Sequence, residues 1–293
     1  MQQPIIIRYG ELALKSNYVR RQFIRRLVHN IEAAFIFEKK SCMIEAEWGR
    51  LFLFSDDLDS AKLILKRIMG ITSFSPATYS SSDADDIIKT SVDIAQEVLD
   101  EKTSFAVRAQ RTGNHDYTSQ DMARRLGSAL VEKFHSPVYL TNPDVEIGLD
   151  IRNNSAYHFF EKISGVGGLP LGTQGTVLCE ICCASDLLAA WFLARRGCMP
   201  ILQLKNSDCK SEAIRFANHW FLNRNLIVDD DVSLSSLGSK FKPQALVVGM
   251  RLINKDALEA IQLKKQQSSL PLLTPLVGLS DEEINSRLKA IGV

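Results

Sequence analysis

No stretch of the 293 residues approaches the roughly 18 consecutive apolar residues that span a bilayer, and the segment Met1 to Arg8 lacks the apolar core of a secretory signal. An excess of one charge is also missing. The 35 Lys and Arg against 34 Asp and Glu leave a formal +1, so bulk charge selects no partner. Six cysteines are too few for a disulfide scaffold in a chain this long, which predicts a reducing, cytoplasmic setting and no membrane association. Repeats and low-complexity tracts are absent. The 45% hydrophobic and 24% charged residues are those of a folded globular chain of about two domains, or three small ones.

The balanced total hides a local imbalance. Residues 1–75 carry a net charge of +4, whereas residues 76–172 carry −5. The densest basic piece is Arg20, Arg21, Arg25 and Arg26, interleaved with Phe23, Leu27, Ile31 and Phe35. Apolar residues every four positions predict one buried helix face, with the arginines turned outward. Such a cluster is either a solvated helix face or a phosphate-contacting patch.

Pro4 to Tyr9 predicts a strand, Asn17 to Phe37 a long helix, and Cys42–Ala46 with Arg50–Phe54 a hairpin around Trp48-Gly49. A helix from Ala61 to Met69, stopped by Gly70, and a strand from Ile71 to Ser75 complete a β-α-β-β-α-β order, that of a ferredoxin-like unit. A helix from Asp83 to about Glu101, a strand Phe105–Gln110, a helix from Ser119 with the stripe Met122, Leu126, Leu130 and Phe134, and a strand pair Val145–Ile151 and Ala156–Lys162 follow. Four glycines and a proline between Gly165 and Gly172 predict a linker. Beyond it, apolar runs at Thr176–Ile181, Pro200–Leu204, Leu226–Val228 and Ala245–Val248 alternate with helical stretches, which predicts a Rossmann-like parallel sheet covered on both faces. The fold class is thus mixed α/β and α+β in several domains.

These residues resemble a known family in collinear order. Ile7 to Lys15 (IRYGELALK) looks like the opening of the tRNA 4-thiouridine synthetases, the ThiI family, and Gly70 to Ala77 (GITSFSPA) like the end of its ferredoxin-like domain. Phe105 to Arg111 (FAVRAQR), with Thr118 to Gln120 (TSQ), resembles the THUMP domain, an RNA-binding module. Gly167 to Gly172 (GGLPLG), Ala189 to Gly197 (AAWFLARRG), Ala245 to Gly249 (ALVVG) and Pro275 to Leu279 (PLVGL) extend the likeness over nearly the whole chain. The resemblance implies a ferredoxin-like domain at 1–76, a THUMP domain at 77–165, a linker at 166–175 and a pyrophosphatase-loop (PP-loop) domain at 176–293. It also implies tRNA as partner, with ATP activating a uridine and a cysteine persulfide supplying sulfur.

At the ATP loop the sequence departs from the family. A loop of Ser-Gly-Gly-x-Asp-Ser type is required after the first strand, because glycines let backbone N–H groups approach phosphate at a helix N-terminus. Here the corresponding positions are Ile181, Cys182, Cys183, Ala184, Ser185 and Asp186, with cysteines in place of both glycines. Their side chains are expected to crowd a pyrophosphate. The stretch after Gly249, which in the family reads Glu-Ser-Leu-Gly-Gln, is Met250-Arg251-Leu252-Ile253-Asn254, and the sequence stops at Val293 where active members continue toward further functional cysteines. A degenerate nucleotide loop, without ATP or Mg²⁺, is the expectation.

The candidate RNA-binding residues are Lys15, Arg20, Arg21, Arg25, Arg108, Arg111, Arg124 and Arg125. Arg108 and Arg111 lie three apart on one strand and should face opposite sides. Cys179 and Cys182 form a C-x-x-C spacing that is either a sulfur-carrying pair, its helix-terminal thiolate having a lowered pKa, or a buried structural pair. No second such pair completes a metal site, and no His has a nucleophile partner supported by spacing. Two readings follow: a tRNA-binding THUMP protein whose C-terminal domain is a scaffold, or an active ATP-dependent sulfurtransferase using Cys179 or Cys182 with a sulfur-donor partner. A third possibility makes the C-terminal domain a homodimer platform through Trp220 and Phe221.

Overall fold

The computed structural model describes residues 3–10, 16–223, 226–229, 240–252 and 254–293. The first elements are β1 (Pro4–Tyr9), α1 (Asn17–Phe37), β2 (Met43–Glu47), β3 (Arg50–Phe54), α2 (Leu58–Leu65) and β4 (Ile71–Pro76), in the expected order. Then come β5 (Thr78–Ser81), α3 (Ala84–Ala95), β6 (Phe105–Thr112), α4 (Ser119–Phe134), β7 (Val145–Arg152), β8 (Ser155–Phe159) and the short β9 (Ile163–Ser164). The last part holds β10 (Thr176–Ile181), α5 (Ala184–Arg195), β11 (Met199–Leu204), α6 (Lys210–His219), β12 (Ile227–Asp229), β13 (Leu246–Val247), α7 (Lys255–Gln267), β14 (Leu272–Leu273) and α8 (Asp281–Ala290). No helix among the described residues is long and apolar enough to cross a membrane.

Three sheets form, with strand orders β2-β3-β1-β4-β9, β5-β8-β7-β6 and β12-β11-β10-β13-β14. The third is parallel throughout, as the alternation of strands and helices required. By its contacts the chain divides into two compact units. One holds residues 1–8, 42–58 and 73–164, the other residues 9–41, 59–72 and 165–293.

In the first unit, β1 runs antiparallel to β3 with Pro4 opposite Phe54, and the same face carries Ile6 and Phe52. Phe52 stacks on Tyr157 of β8 with ring centroids 4.4 Å apart, so the first sheet and the THUMP sheet share an apolar layer. The other face of the THUMP sheet is covered by α3 and α4, whose buried side chains include Ile87, Met122, Leu126 and Leu130. Helix α4 starts where the sequence placed it, because Thr118 and Asp121 form a reciprocal capping box.

Sequence spacing missed one arrangement in this core. His158 is buried between Ser80 and Ser91, each hydroxyl 2.8 Å from one ring nitrogen. His158 lies 78 positions from Ser80 and 67 from Ser91, so no local pattern connects it to them. Burial pushes the imidazole pKa down from 6.5 to about 4.

In the second unit, α1 buries Phe23, Leu27, Ile31, Ala34 and Phe35, the predicted stripe. The glycine-rich stretch 165–172, read as a linker, is instead a packed strap. Gly167 N–H donates to Ile71 O at 2.7 Å, Leu169 N–H to Arg195 O at 3.0 Å and Gly172 N–H to Gly197 O at 2.9 Å, while Leu169, Pro170 and Leu171 are buried. Gly168 has φ +76, and a Cβ there would lie 2.1 Å from Arg195 O, so glycine permits close approach rather than looseness. Trp220, weighed as a surface anchor, is buried and donates Nε1–H to Ile291 O at 3.0 Å.

The depressed pKa of His158 sets an acid limit on the fold. The unfolded imidazole takes a proton below pH 6.5 while the folded one resists until about pH 4, so stability falls as pH drops through that window, by up to about 3 kcal/mol. His158→Gln should flatten the pH dependence of the urea midpoint between pH 7 and 4.5.

Candidate RNA interface and phosphate loop

Helix α1 presents Arg21 and Arg25 to solvent, with Arg20 half-buried beside them; Lys15 lies outside the described residues. In the other unit, α4 exposes Arg124 and Arg125, and Arg124 pairs with Asp121 at 3.2 Å on the helix surface. The β6 alternation separates Arg108 from Arg111 as expected. Arg108 is exposed, 3.1 Å from Glu146 and donating to Leu140 O at 2.7 Å. Arg111 is half-buried and donates to Gly113 O at 3.1 Å.

A further basic group lies in the first unit, and no local sequence pattern marks it. Asp150 is buried, with one carboxylate oxygen 2.9 Å from Arg50 Nε and the other 2.9 Å from Arg152 Nε. Arg152 also donates to Trp48 O at 2.7 Å and Arg50 to Gly49 O at 2.8 Å, which fastens the hairpin tip to the THUMP strand. Nearby, the Arg8 guanidinium lies 4.6 Å from the Phe159 ring centroid and donates to Ser75 Oγ at 3.0 Å. Burial first, and then the neighbouring Arg50, push its pKa down to about 10. Arg8 and Asp150 also line a cavity of about 380 Å³, together with Arg108, Lys162, Glu146 and Phe159. Its lining is mixed in charge, with three cations and two carboxylates, Arg108 being paired with Glu146.

The third sheet holds the loop 181–186, for which the family resemblance implies a phosphate site. Strand β10 has β11 on one side and β13 on the other, so the winding direction reverses there, and ligands of parallel sheets bind outside the carboxyl ends at such a point. The loop Cys182-Cys183 leads from β10 into α5. Its amides are aimed inward, and their acceptor is Asp186. One carboxylate oxygen accepts from Cys182 N–H at 2.8 Å and Cys183 N–H at 3.0 Å; the other accepts from Gly249 N–H at 2.8 Å. Asp186 is buried, and a Cβ at Gly249 would come within 2.4 Å of its Oδ1. To the cysteine side chains, expected to crowd a phosphate, the structure adds an acceptor that local spacing did not reveal. Cys182 and Cys183 are exposed and neither has positive φ, while the space facing the amides is taken by the protein's own carboxylate. A phosphate at these amides would have to displace that anion.

The thiols also depart from expectation. Cys179 is fully buried, and its pKa is pushed well up by burial. The Cys182 pKa is likewise raised, first by burial and then by the negative charges of Asp186 and Glu180, so proximity to a helix N-terminus does not activate it. Among the described residues no cluster of His, Cys, Asp and Glu could hold a metal ion.

Comparison with known proteins agrees with this architecture. Residues 4–75 match the ThiI ferredoxin-like domain and residues 81–159 the THUMP domain. The chain is a THUMP-domain protein with a ThiI-type ferredoxin-like domain ahead of a parallel-sheet domain. It is related to proteins of the tRNA 4-thiouridine synthetase, or ThiI, type. The probable tRNA sulfurtransferase of Methanobrevibacter smithii is 40% identical over 200 residues, covering 66% of this chain and 51% of that protein. Its counterpart in Methanocaldococcus jannaschii is 28% identical, covering 98% and 87%. The chain thus spans about half the length of the first curated relatives it matches. Among solved structures, PH1313 from Pyrococcus horikoshii superposes with a TM-score of 0.86 at 27% identity, over 99% of this chain and 100% of that one. A 4-thiouridine synthetase–RNA complex with bound ATP shares the fold, with a TM-score of 0.78 at 21% identity over 100% and 85%.

Removing the Asp186 carboxylate should strand three inward-facing amides. Asp186→Ala is expected to lower unfolding stability by about 3 kcal/mol in urea titration. Inorganic phosphate should raise the melting temperature of that variant and leave the wild-type chain unmoved.

Proposed function

We propose that this chain binds RNA, tRNA being its ligand, and that its C-terminal domain acts as a scaffold without ATP turnover. The observation that carries the second half is the Asp186 carboxylate on the amides of Cys182, Cys183 and Gly249. A triphosphate brought there meets a buried negative charge where the phosphate-binding loop needs donors. The first half is supported by the ferredoxin-like and THUMP domains, and by the M. smithii and M. jannaschii relatives, whose names include tRNA. Exposed Arg21, Arg25, Arg124 and Arg125 supply charge for a phosphate backbone, recognised by shape as RNA modules commonly do.

A second reading, an active sulfurtransferase, is favoured by the names of the relatives. It would need ATP, Mg²⁺, a sulfur donor and a nucleophilic Cys179 or Cys182. A buried Cys179 thiol and a Cys182 thiol whose pKa is raised by partial desolvation and by Asp186 are poor nucleophiles.

Two measurements test the proposal. Filter binding should show tRNA affinity falling at least ~10-fold as salt rises from about 50 to 200 mM, and Arg20→Ala/Arg21→Ala/Arg124→Ala should reduce both affinity and salt slope. Calorimetry with ATP and Mg²⁺ should give no heat of binding; saturable binding would reinstate the sulfurtransferase reading.

A further inference from the structure

A groove of about 470 Å³ in the C-terminal domain is lined by Phe192, Arg195, Arg196, Pro275, Leu279 and Arg287, together with Gly168. Among the described residues no carboxylate lines it. The three guanidiniums come from two separate places: Arg195 and Arg196 from the end of α5, Arg287 from the last turn of α8. Arginines at a helix C-terminus complement the helix dipole, but that does not account for the convergence of two helix ends on one groove.

The groove is also ordered. Arg195 Nε–H donates to Val166 O at 3.0 Å, and its guanidinium lies 5.6 Å from the Trp191 ring centroid. The Arg287 guanidinium lies 5.6 Å from the Phe192 ring centroid. Aromatic faces hold both cations without neutralising them, because a ring quadrupole attracts a cation but carries no net charge. Two of the three acids at the start of α8 are engaged elsewhere. Asp281 pairs with Arg251 at 2.7 Å, and Glu283 accepts from Ser280 N–H at 2.9 Å. The result is concentrated positive charge on a partly apolar floor.

We propose that this groove is a contact for the RNA phosphate backbone, giving the scaffold domain a share in holding the ligand. Planar guanidiniums suit phosphate oxygens, which they engage in paired hydrogen bonds, and two helices spaced across a groove can bridge successive phosphates. The inference rests on the RNA-binding reading and extends it to a domain that carries no RNA-binding module by family likeness. It uses none of the loop amides that Asp186 occupies.

The test uses the full chain and an unmodified tRNA transcript in fluorescence anisotropy. Arg196→Gln/Arg287→Gln should weaken binding ~10-fold and lower the slope of log K against log salt by about two, with the melting temperature unchanged. Arg287→Glu alone, at an exposed helix position, should weaken it at least as much. Wild-type binding with unaltered affinity and slope in both variants would overturn the groove while leaving RNA binding standing. Competition by polyglutamate as effective as by tRNA would also overturn it, marking a surface for any polyanion. Failure of the wild-type chain to bind tRNA at low salt would overturn the RNA-binding reading and the groove together.

Discussion

The parallel-sheet domain is organised around one carboxylate. Asp186 collects the amides of a strand-to-helix loop and of the backbone beyond a second strand, and so joins β10, α5 and the end of β13 at the point where the sheet changes winding direction. A loop built this way has obligatory donors that must find an acceptor once water is excluded. Nucleotide-binding loops leave that acceptor to the ligand and accept a poorly satisfied apo state. In this chain the acceptor is covalently part of the protein, so the loop is satisfied at all times. The same change that settles the loop raises the cost of bringing a second anion to it.

The first unit uses the same device with the signs reversed. Asp150 is a buried carboxylate whose partners are two guanidiniums, one from the ferredoxin-like hairpin and one from the THUMP strand that carries it. The arginines spend their remaining donors on Trp48 O and Gly49 O, and on Gln110 Oε1, so the hairpin tip is held by charge-assisted bonds as well as by the Phe52–Tyr157 stack. A third guanidinium, Arg8, stands nearby, and burial first, then the neighbouring Arg50, depress its pKa. Here a carboxylate gathers cationic donors from two segments, whereas in the phosphate loop a carboxylate gathers three neutral amides.

These two electrostatic arrangements give the domains different surfaces. Charge on the THUMP side and on the α5–α8 groove is left available, while the phosphate loop is closed by its own side chain. The thiols around that loop follow its polarity. Cys182 sits beside Asp186 and Glu180, and negative neighbours keep a thiol protonated whatever the helix behind it does. The residues that satisfy the loop amides differ from those that line the groove, so the two features are independent.

Much of the architecture was legible in the chain itself. The four-residue spacing of Phe23, Leu27, Ile31 and Phe35 determined the buried face of α1, the stripe Met122, Leu126 and Leu130 that of α4, and the alternation of apolar runs with helices the parallel sheet. These are local signals, because helix and strand periodicities are set over a few residues. The loop substitution at Cys182-Cys183 was also visible, but its meaning was not. Asp186 and Gly249 are 63 residues apart, Arg50 and Asp150 are 100, and His158 meets its two serines across comparable gaps. The glycines of 165–172 read as slack although they mark close contact with Arg195. Hydrogen-bond partners and close approaches of this kind depend on which chain segments the completed fold brings within about 3 Å, a quantity that sequence spacing does not encode.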